Sequence, residues 1–350
     1  MTLPSPGFAL GTISAGGGPA FAALVLRDIV APIHALKPLF DKLGCAPLGS
    51  SSTLGLLENW EKSFTTLQRA AAFLQNDGGK SEEWRNILLP SEQLKFRPPV
   101  DVPRQVFCSG ANYRKHVIDL IVDQSVGTDS NLSREERQAR ATRLMDERAA
   151  HGAPFVFSLP PSAITGPYDP VILSRNVVQP DWELELAVII GKPARHVHRD
   201  EALSYVAGYT IVNDITNRDL VFRKDTGAMG ADWIAAKGCP SYLPTGPYLV
   251  PASFVPDPQN LRIILKLNGQ TMQDESTADM IFGVARIIEY LSTYVQLWPG
   301  DLIATGSPAG NGTHYNRFLK PGDIMEGSIT ALGMLRNPCV AEEVEAHASR

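Results

Sequence analysis

The chain has 350 residues, an ordinary composition and a formal net charge of -5. That length suits one large or two ordinary domains, and the charge argues against a general nucleic-acid or anionic-membrane surface. Its four cysteines, Cys45, Cys108, Cys239 and Cys339, lie far apart with no Cys-x-x-Cys pair, which speaks against a zinc ribbon or disulfide framework and suits a reducing cytoplasm.

The first residues, Met1-Thr2-Leu3-Pro4-Ser5-Pro6, lack the basic region and apolar run of a signal peptide. No stretch approaches the roughly eighteen uncharged apolar residues of a membrane span. Residues 1–98 read as a small N-terminal α+β domain. Gly16-Gly17-Gly18-Pro19 marks a turn and Ala22–Leu26 a strand. Leu54, Leu57, Trp60, Phe64, Leu67, Ala71 and Leu74 recur at three- and four-residue spacing, which predicts a helix over 53–76. The paired prolines of Phe96-Arg97-Pro98-Pro99-Val100 read as a connector.

Residues 99–350 read as a second, larger domain, in which the texture changes from about residue 104. Short apolar runs at 105–108, 169–173, 183–190, 206–214, 261–267, 301–305 and 324–330 alternate with Gly/Pro turns. One helix is expected over 277–294, with Ile281, Val284, Ile288 and Leu291 on a face. Many short strands with few helices predict an α+β, mainly β body rather than a doubly wound sheet. Between them, Gly127-Thr128-Asp129-Ser130-Asn131 is turn-like, and Ser133-Arg134-Glu135-Glu136 offers a capping box before a charged, helix-prone run to Ala150. That run reads as a lid or as a solvated surface helix.

The chemistry concentrates in Asp181-Trp182-Glu183-Leu184-Glu185-Leu186-Ala187-Val188-Ile189-Ile190-Gly191. On a strand, Glu183 and Glu185 share one face while Trp182, Leu184 and Leu186 take the other. Two like charges beside a core strand resist burial, so the pair reads as the ligands of a hard cation or as a solvated strand edge. Asp214 ends the β-branched run Thr210–Val212 and adds a third carboxylate, which reads as a ligand or as a turn-forming residue. Three oxygen donors and no histidine suit Mg²⁺ or Mn²⁺ better than zinc. His116 and Asp119 are spaced to meet on one helical face. The pair reads as a general base with its orienting carboxylate, or as an ordinary helix-surface pair. Lys237, after Trp233-Ile234-Ala235-Ala236, reads as a carbonyl- or anion-holding lysine or as a snorkelling surface one. Asp301–Gly310 is a strand running into a Gly-rich turn, which suits an oxyanion or a purely structural bend.

Taken in order, these segments resemble the fumarylacetoacetate hydrolase family from about residue 104 to 340. The blocks are Asn112-Tyr113-x-x-His116, Pro161-Ser162-Ala163-Ile164-Thr165-Gly166-Pro167, Glu183-x-Glu185, Asn213-Asp214-Ile215-Thr216-x-Arg218-Asp219, Ala236-Lys237-Gly238, Pro244-Thr245-Gly246-Pro247, Pro299–Gly310 and Leu319-Lys320-Pro321-Gly322-Asp323. The resemblance implies a mixed β-roll catalytic domain, a homodimer, and Mg²⁺ or Mn²⁺ on Glu183, Glu185 and Asp214. It implies His116 and Asp119 as a water-activating dyad on a lid spanning about 114–152, with Lys237 as a third catalytic residue. Tyr113, Arg218, Gly306 and Ser307 would bind substrate. The implied reaction is hydrolytic cleavage of a C–C bond in a 1,3-diketo acid, with the cation as Lewis acid holding the departing enolate. The alternatives are a hydratase, decarboxylase or tautomerase on the same scaffold, or a non-catalytic binding protein. The expected partner is a small diketo acid, neither nucleic acid nor membrane. Four departures alter the pocket: Asp119 where glutamate is common, Val221 for glutamine, Leu159 for a lysine, and Ser307 for threonine.

Overall fold

Alternation along one strand explains how the body is layered. In Leu184–Ile190 every residue is buried. Leu184, Leu186, Val188 and Ile190 enter one hydrophobic core, while Ala187 and Ile189 enter a second on the opposite face. The neighbouring strand Val206–Asn213 divides likewise, with Tyr209 and Ile211 on the first face and Ala207 and Val212 on the second. A sheet covered on both sides reads as a continuous apolar run, which these segments are. Each fully buried Leu or Ile contributes about 1.5–3 kcal/mol relative to exposure.

The computed structural model describes residues 7–27, 29–76, 81–124, 132–223, 225 and 230–343. The predicted turn at 127–131 lies outside them. The described residues form an α+β fold, mainly β, with a twelve-stranded, a five-stranded and a two-stranded sheet. In the large sheet Phe21–Leu26, Ala9–Ala15, Leu243–Pro251, Val206–Asn213, Leu184–Ile190, Leu302–Ala304 and Val106–Gly110 lie side by side in that order. The pairing is mixed: Leu302–Ala304 runs parallel to Val106–Gly110 and antiparallel to Leu184–Ile190. The five-stranded sheet orders Gln270–Ser276, Arg262–Leu267, Ile324–Ile329, Gly333–Ala341 and Val171–Leu173. No described helix is long and apolar enough to cross a membrane.

The N-terminal 98 residues supply Ala9–Ala15, which pairs with Leu243–Pro251 through Leu10 opposite Leu249. Their apolar side chains, Leu10, Leu56, Trp60 and Leu67 among them, share the second core with Ala187, Ile189 and Leu302. The predicted helix over 53–76 is two helices, Thr53–Leu57 and Trp60–Gln75. Ser52 caps the first by accepting from the Gly55 N–H, and Asn59 departs from helical geometry between them. The predicted helix over 277–294 starts later, at Val284 after Gly283, and buries Val284, Ile287, Ile288 and Leu291.

Arg114–Gln124 and Arg134–His151 are helices that pack on each other through Val117, Ile118, Val122, Ala141 and Met145, with Ile281 against them. The capping box is present: the Glu136 N–H donates to Ser133 Oγ and the Ser133 N–H to Glu136 Oε2. Arg286 holds the second helix's end by donating to the carbonyls of Ala149 and Gly152.

The shared sheet and second core generate a test. Residues 99–350 expressed alone would expose the Leu243–Pro251 edge and one face of the core. The expected outcome is an aggregated or unfolded fragment by gel filtration and circular dichroism. A monodisperse, cooperatively melting fragment would contradict this.

Candidate active site

Strand register assembles the acid cluster. Leu184 pairs with Asn213, so Glu183 precedes one strand where Asp214 follows its antiparallel neighbour. The Asp214 N–H donates to the Glu183 carbonyl at 2.9 Å, and the Glu183 N–H to Asn213 Oδ1 at 2.8 Å. Glu185 lies two residues on, on the same face as Glu183. One carboxylate oxygen from each of Glu183, Glu185 and Asp214 falls within 4.8 Å of the others. Glu185 and Asp214 are buried.

Two cations lean on the cluster. Lys237 ends the short helix Trp233–Lys237, which Asp232 caps by accepting from the Ala235 N–H. Buried with it, Lys237 Nζ donates to Asp214 Oδ2 and Thr216 Oγ1 at 2.6 Å each and to Glu183 Oε2 at 2.7 Å. Arg218 sets Nη2 2.7 Å from Glu183 Oε1 and donates Nε–H to Asp181 Oδ2 at 2.8 Å. Asp181 is fully buried and also accepts from the N–H groups of Trp182, Gly312 and Thr313.

These neighbours split the acidities. Burial alone would raise all three carboxyls. Against burial, Lys237 and Arg218 hold Glu183 down at about 2. Burial, with the Asp214 and Glu183 charges, pushes Glu185 well above the usual range. Burial lifts Asp214 to about 6 despite Lys237. Burial works against the Lys237 ammonium, but the Asp214, Glu183 and Glu185 charges outweigh it and raise its pKa. Asp214 Oδ1 is buried with no hydrogen-bond partner. An orphaned carboxylate oxygen within an all-oxygen trio fits Mg²⁺ or Mn²⁺.

The turn after Leu302–Ala304 closes the site. Gly306 donates its N–H to Glu185 Oε2 at 2.6 Å. Its φ of +99° and the 2.9 Å approach of Ser109 O and Asn112 Cβ to a built Cβ leave room for glycine alone. Asn112 fastens this turn to the His116 helix, donating to the Thr305 and Phe282 carbonyls.

Glu183, Glu185, Asp214, Lys237, Arg218 and His116 line a cavity of about 600 Å³, to which Ser307 also contributes. Leu120, Phe157, Val221, Phe222, Trp233 and Phe318 make the rest largely apolar. Phe157 and Trp233 stack with centroids 4.3 Å apart. Burial first, then the Arg218 charge, lowers His116 to about 4 against Glu183 and Asp181, so the ring is neutral at pH 7. Among the described residues no hydrogen bond joins His116 to Asp119. Tyr113 lies fully buried in the first core, bridged to Met280, and is not among the cavity-lining residues. Val221 lines the cavity, whereas Leu159 is buried in the second core. Sequence reasoning quoted Asp181 and Thr216 without giving them a role and missed Gln273. The signal for Asp181 was its place two residues before Glu183, in a block that pairs with Arg218.

A mixed-sheet body carrying an acid trio, two of its members buried, beside a buried lysine defines the class: enzymes of the fumarylacetoacetate hydrolase fold. Residues 105–340 match the model of the fumarylacetoacetate (FAA) hydrolase C-terminal domain, and the chain belongs to that family. It is 34% identical over 255 residues to the mitochondrial oxaloacetate tautomerase of Rattus norvegicus, covering 72% of each chain. It is 44% identical over 186 residues to the 2,4-didehydro-3-deoxy-L-rhamnonate hydrolase of Sphingomonas sp. (strain SKA58), covering 52% of this chain and 64% of that one. Among solved structures it resembles the maleylpyruvate hydrolase of Sphingobium sp. SYK-6 in complex with manganese(II) and pyruvate. There the TM-score is 0.66 at 25% identity, over 96% of this chain and 100% of that one.

Proton competition at the trio sets the next expectation. A cation must displace protons from Asp214 and Glu185, so binding weakens as pH falls. Mn²⁺ affinity measured by calorimetry should drop about tenfold or more between pH 7.5 and 5, given the Asp214 value near 6. A flat profile would contradict the assignment.

Proposed function

We propose that the protein is a divalent-metal-dependent hydrolase that cleaves a C–C bond in a 1,3-diketo acid, an acylpyruvate or a fumarylacetoacetate-like ring-cleavage product. The mixed lining of the cavity carries this reading. Its ionic groups suit a 2-oxo acid head, and its volume of about 600 Å³ with Phe157, Trp233, Phe222 and Phe318 in the wall suits an acyl arm longer than a four-carbon diacid needs. Mg²⁺ or Mn²⁺ on Glu183, Glu185 and Asp214 would supply Lewis-acid polarisation of the substrate's carbonyl oxygens.

The chain's own groups do the rest. Ser307 receives the substrate carboxylate on the turn that Gly306 shapes, the Gly306 N–H itself being given to Glu185, and Arg218 and Lys237 hold the trio's geometry while offsetting its charge. Neutral His116 takes a proton from water, and the oxygen adds to the outer carbonyl carbon. Glu183 and Asp181 stabilise the imidazolium that forms. The bond between that carbon and the central methylene carbon breaks, its electron pair passing to the 2-oxo acid fragment as an enolate. Protonation of that fragment by His116 leaves one carboxylic acid and one 2-oxo acid per water consumed. We assign Asp119 a supporting role at this base. A homodimer in the cytoplasm completes the proposal.

A tautomerase is the second reading, favoured by the 34% likeness to a protein named oxaloacetate tautomerase. It would use the same proton transfers at carbon without adding water. Incubation with Mg²⁺ and an acylpyruvate series, followed by enol absorbance and product NMR, separates the two. Equal amounts of pyruvate and acid are expected; keto–enol redistribution of intact substrate would refute the hydrolase.

Two variants refine the roles. His116→Ala should lower kcat about 10²–10⁴-fold while Mn²⁺ binding persists; near-native turnover would remove the base assignment. Asp119→Asn should cost no more than about tenfold, because no hydrogen bond to His116 is lost. EDTA should abolish activity and Mg²⁺ or Mn²⁺ restore it.

A further inference from the structure

Gln273 lies on Gln270–Ser276, a strand of the five-stranded sheet, yet its side chain reaches the acid site. It is 1% exposed. Its Oε1 accepts from the Leu184 N–H at 3.2 Å, between Glu183 and Glu185. Its Nε2 donates to Ser307 Oγ at 3.0 Å and to the Pro308 carbonyl at 2.9 Å. A backbone N–H can only donate and a carbonyl can only accept, so these two contacts force the orientation of the amide.

That orientation decides what Ser307 can do. A serine hydroxyl has one proton and two acceptor sites. Gln273 occupies an acceptor site, and Asn311 Nδ2 stands 3.5 Å from the same oxygen. Among the described residues the Ser307 proton's hydrogen-bond acceptor is the Pro308 carbonyl at 3.4 Å, beyond the usual O–H···O range. That carbonyl already accepts from Gln273. The turn is anchored in step: Trp182 Nε1–H donates to the Gly310 carbonyl, and a Cβ on Gly310 would strike Met272 O at 2.2 Å.

We propose that Gln273 is a positioning residue that, by donating to the Ser307 oxygen, fixes the direction of the Ser307 hydroxyl and leaves its proton for the substrate oxygen received at the 306–307 turn. This rests on the proposal that the turn faces the 2-oxo acid head. The consequence is a preference for a charged acceptor, a carboxylate or enolate oxygen, over a neutral hydroxyl at that position, because a hydrogen bond donated to an anion is the stronger.

A double-mutant cycle tests it. The full chain loaded with Mn²⁺ is titrated calorimetrically with pyruvate as wild type, Ser307→Ala, Gln273→Met and the double variant, with melting temperatures recorded alongside. Each single change should weaken binding about tenfold, and the double variant should bind within about twofold of Ser307→Ala. Unchanged binding in Gln273→Met, or independent losses that multiply to about a hundredfold in the double variant, overturns the proposal. Should Gln273→Met not fold, Gln273→Glu, nearly the same shape but accepting where the amide donates, enters the same cycle. A loss that persists undiminished in the Ser307→Ala background overturns the proposal there too. Failure of wild type to bind pyruvate overturns the functional reading itself.

Discussion

Three carboxylates held within 4.8 Å of one another in a buried pocket are the constraint on which this molecule depends. Two unit charges about 4 Å apart repel by about 4 kcal/mol at an effective dielectric constant of 20, and the trio contains three such pairs. Lys237 and Arg218 answer part of this. With Asp181 included, four carboxylates face two cations, which leaves two negative charges when all are ionised. A divalent cation matches that remainder. Without one, burial and mutual repulsion hold the pKa values of Glu185 and Asp214 above the usual carboxylate range, so these two side chains take up protons more readily than free carboxylates.

The fold makes the crowding tolerable by fixing every backbone that carries a charge. Glu185 belongs to, and Glu183 immediately precedes, a strand hydrogen-bonded on both sides, by Val206–Asn213 and Leu302–Ala304. Cores on both faces prevent a register slip, since a one-residue shift would turn Glu185 into the core that Leu184, Leu186 and Val188 now fill and turn those side chains out of it. Asp181 ties Arg218 to the turn at 312–313, and Asn112 ties the His116 helix to the turn at 305. The cations and the base are thereby positioned by the same framework as the acids.

The legible part of this architecture was periodic or local. Alternation placed Glu183 and Glu185 on one face and Trp182, Leu184 and Leu186 in the core behind it. The capping box marked the start of Arg134–His151. Periodicity was less exact where a helix breaks without losing its apolar face: Leu57 and Trp60 are both buried across the interruption at Asn59. Spacing suggested a His116–Asp119 pair, but shared helical faces do not guarantee contact, and His116 is turned toward the charges of Arg218 and Glu183. Tyr113 sits beside Asn112 in the motif, yet the bend that aims Asn112 at the 305 turn sends its neighbour into the core. Gln273 was invisible because its contact with Leu184 spans 89 residues and two sheets, and nothing local signals it.

The central claim, that Glu183, Glu185 and Asp214 together hold one hard cation, is tested most directly by crystals grown with Mn²⁺ and measured for anomalous scattering. The account predicts a single strong peak within about 2.0–2.5 Å of one oxygen from each of the three side chains. A map with no peak there, or with the three carboxyl groups turned away from a common point, would contradict it.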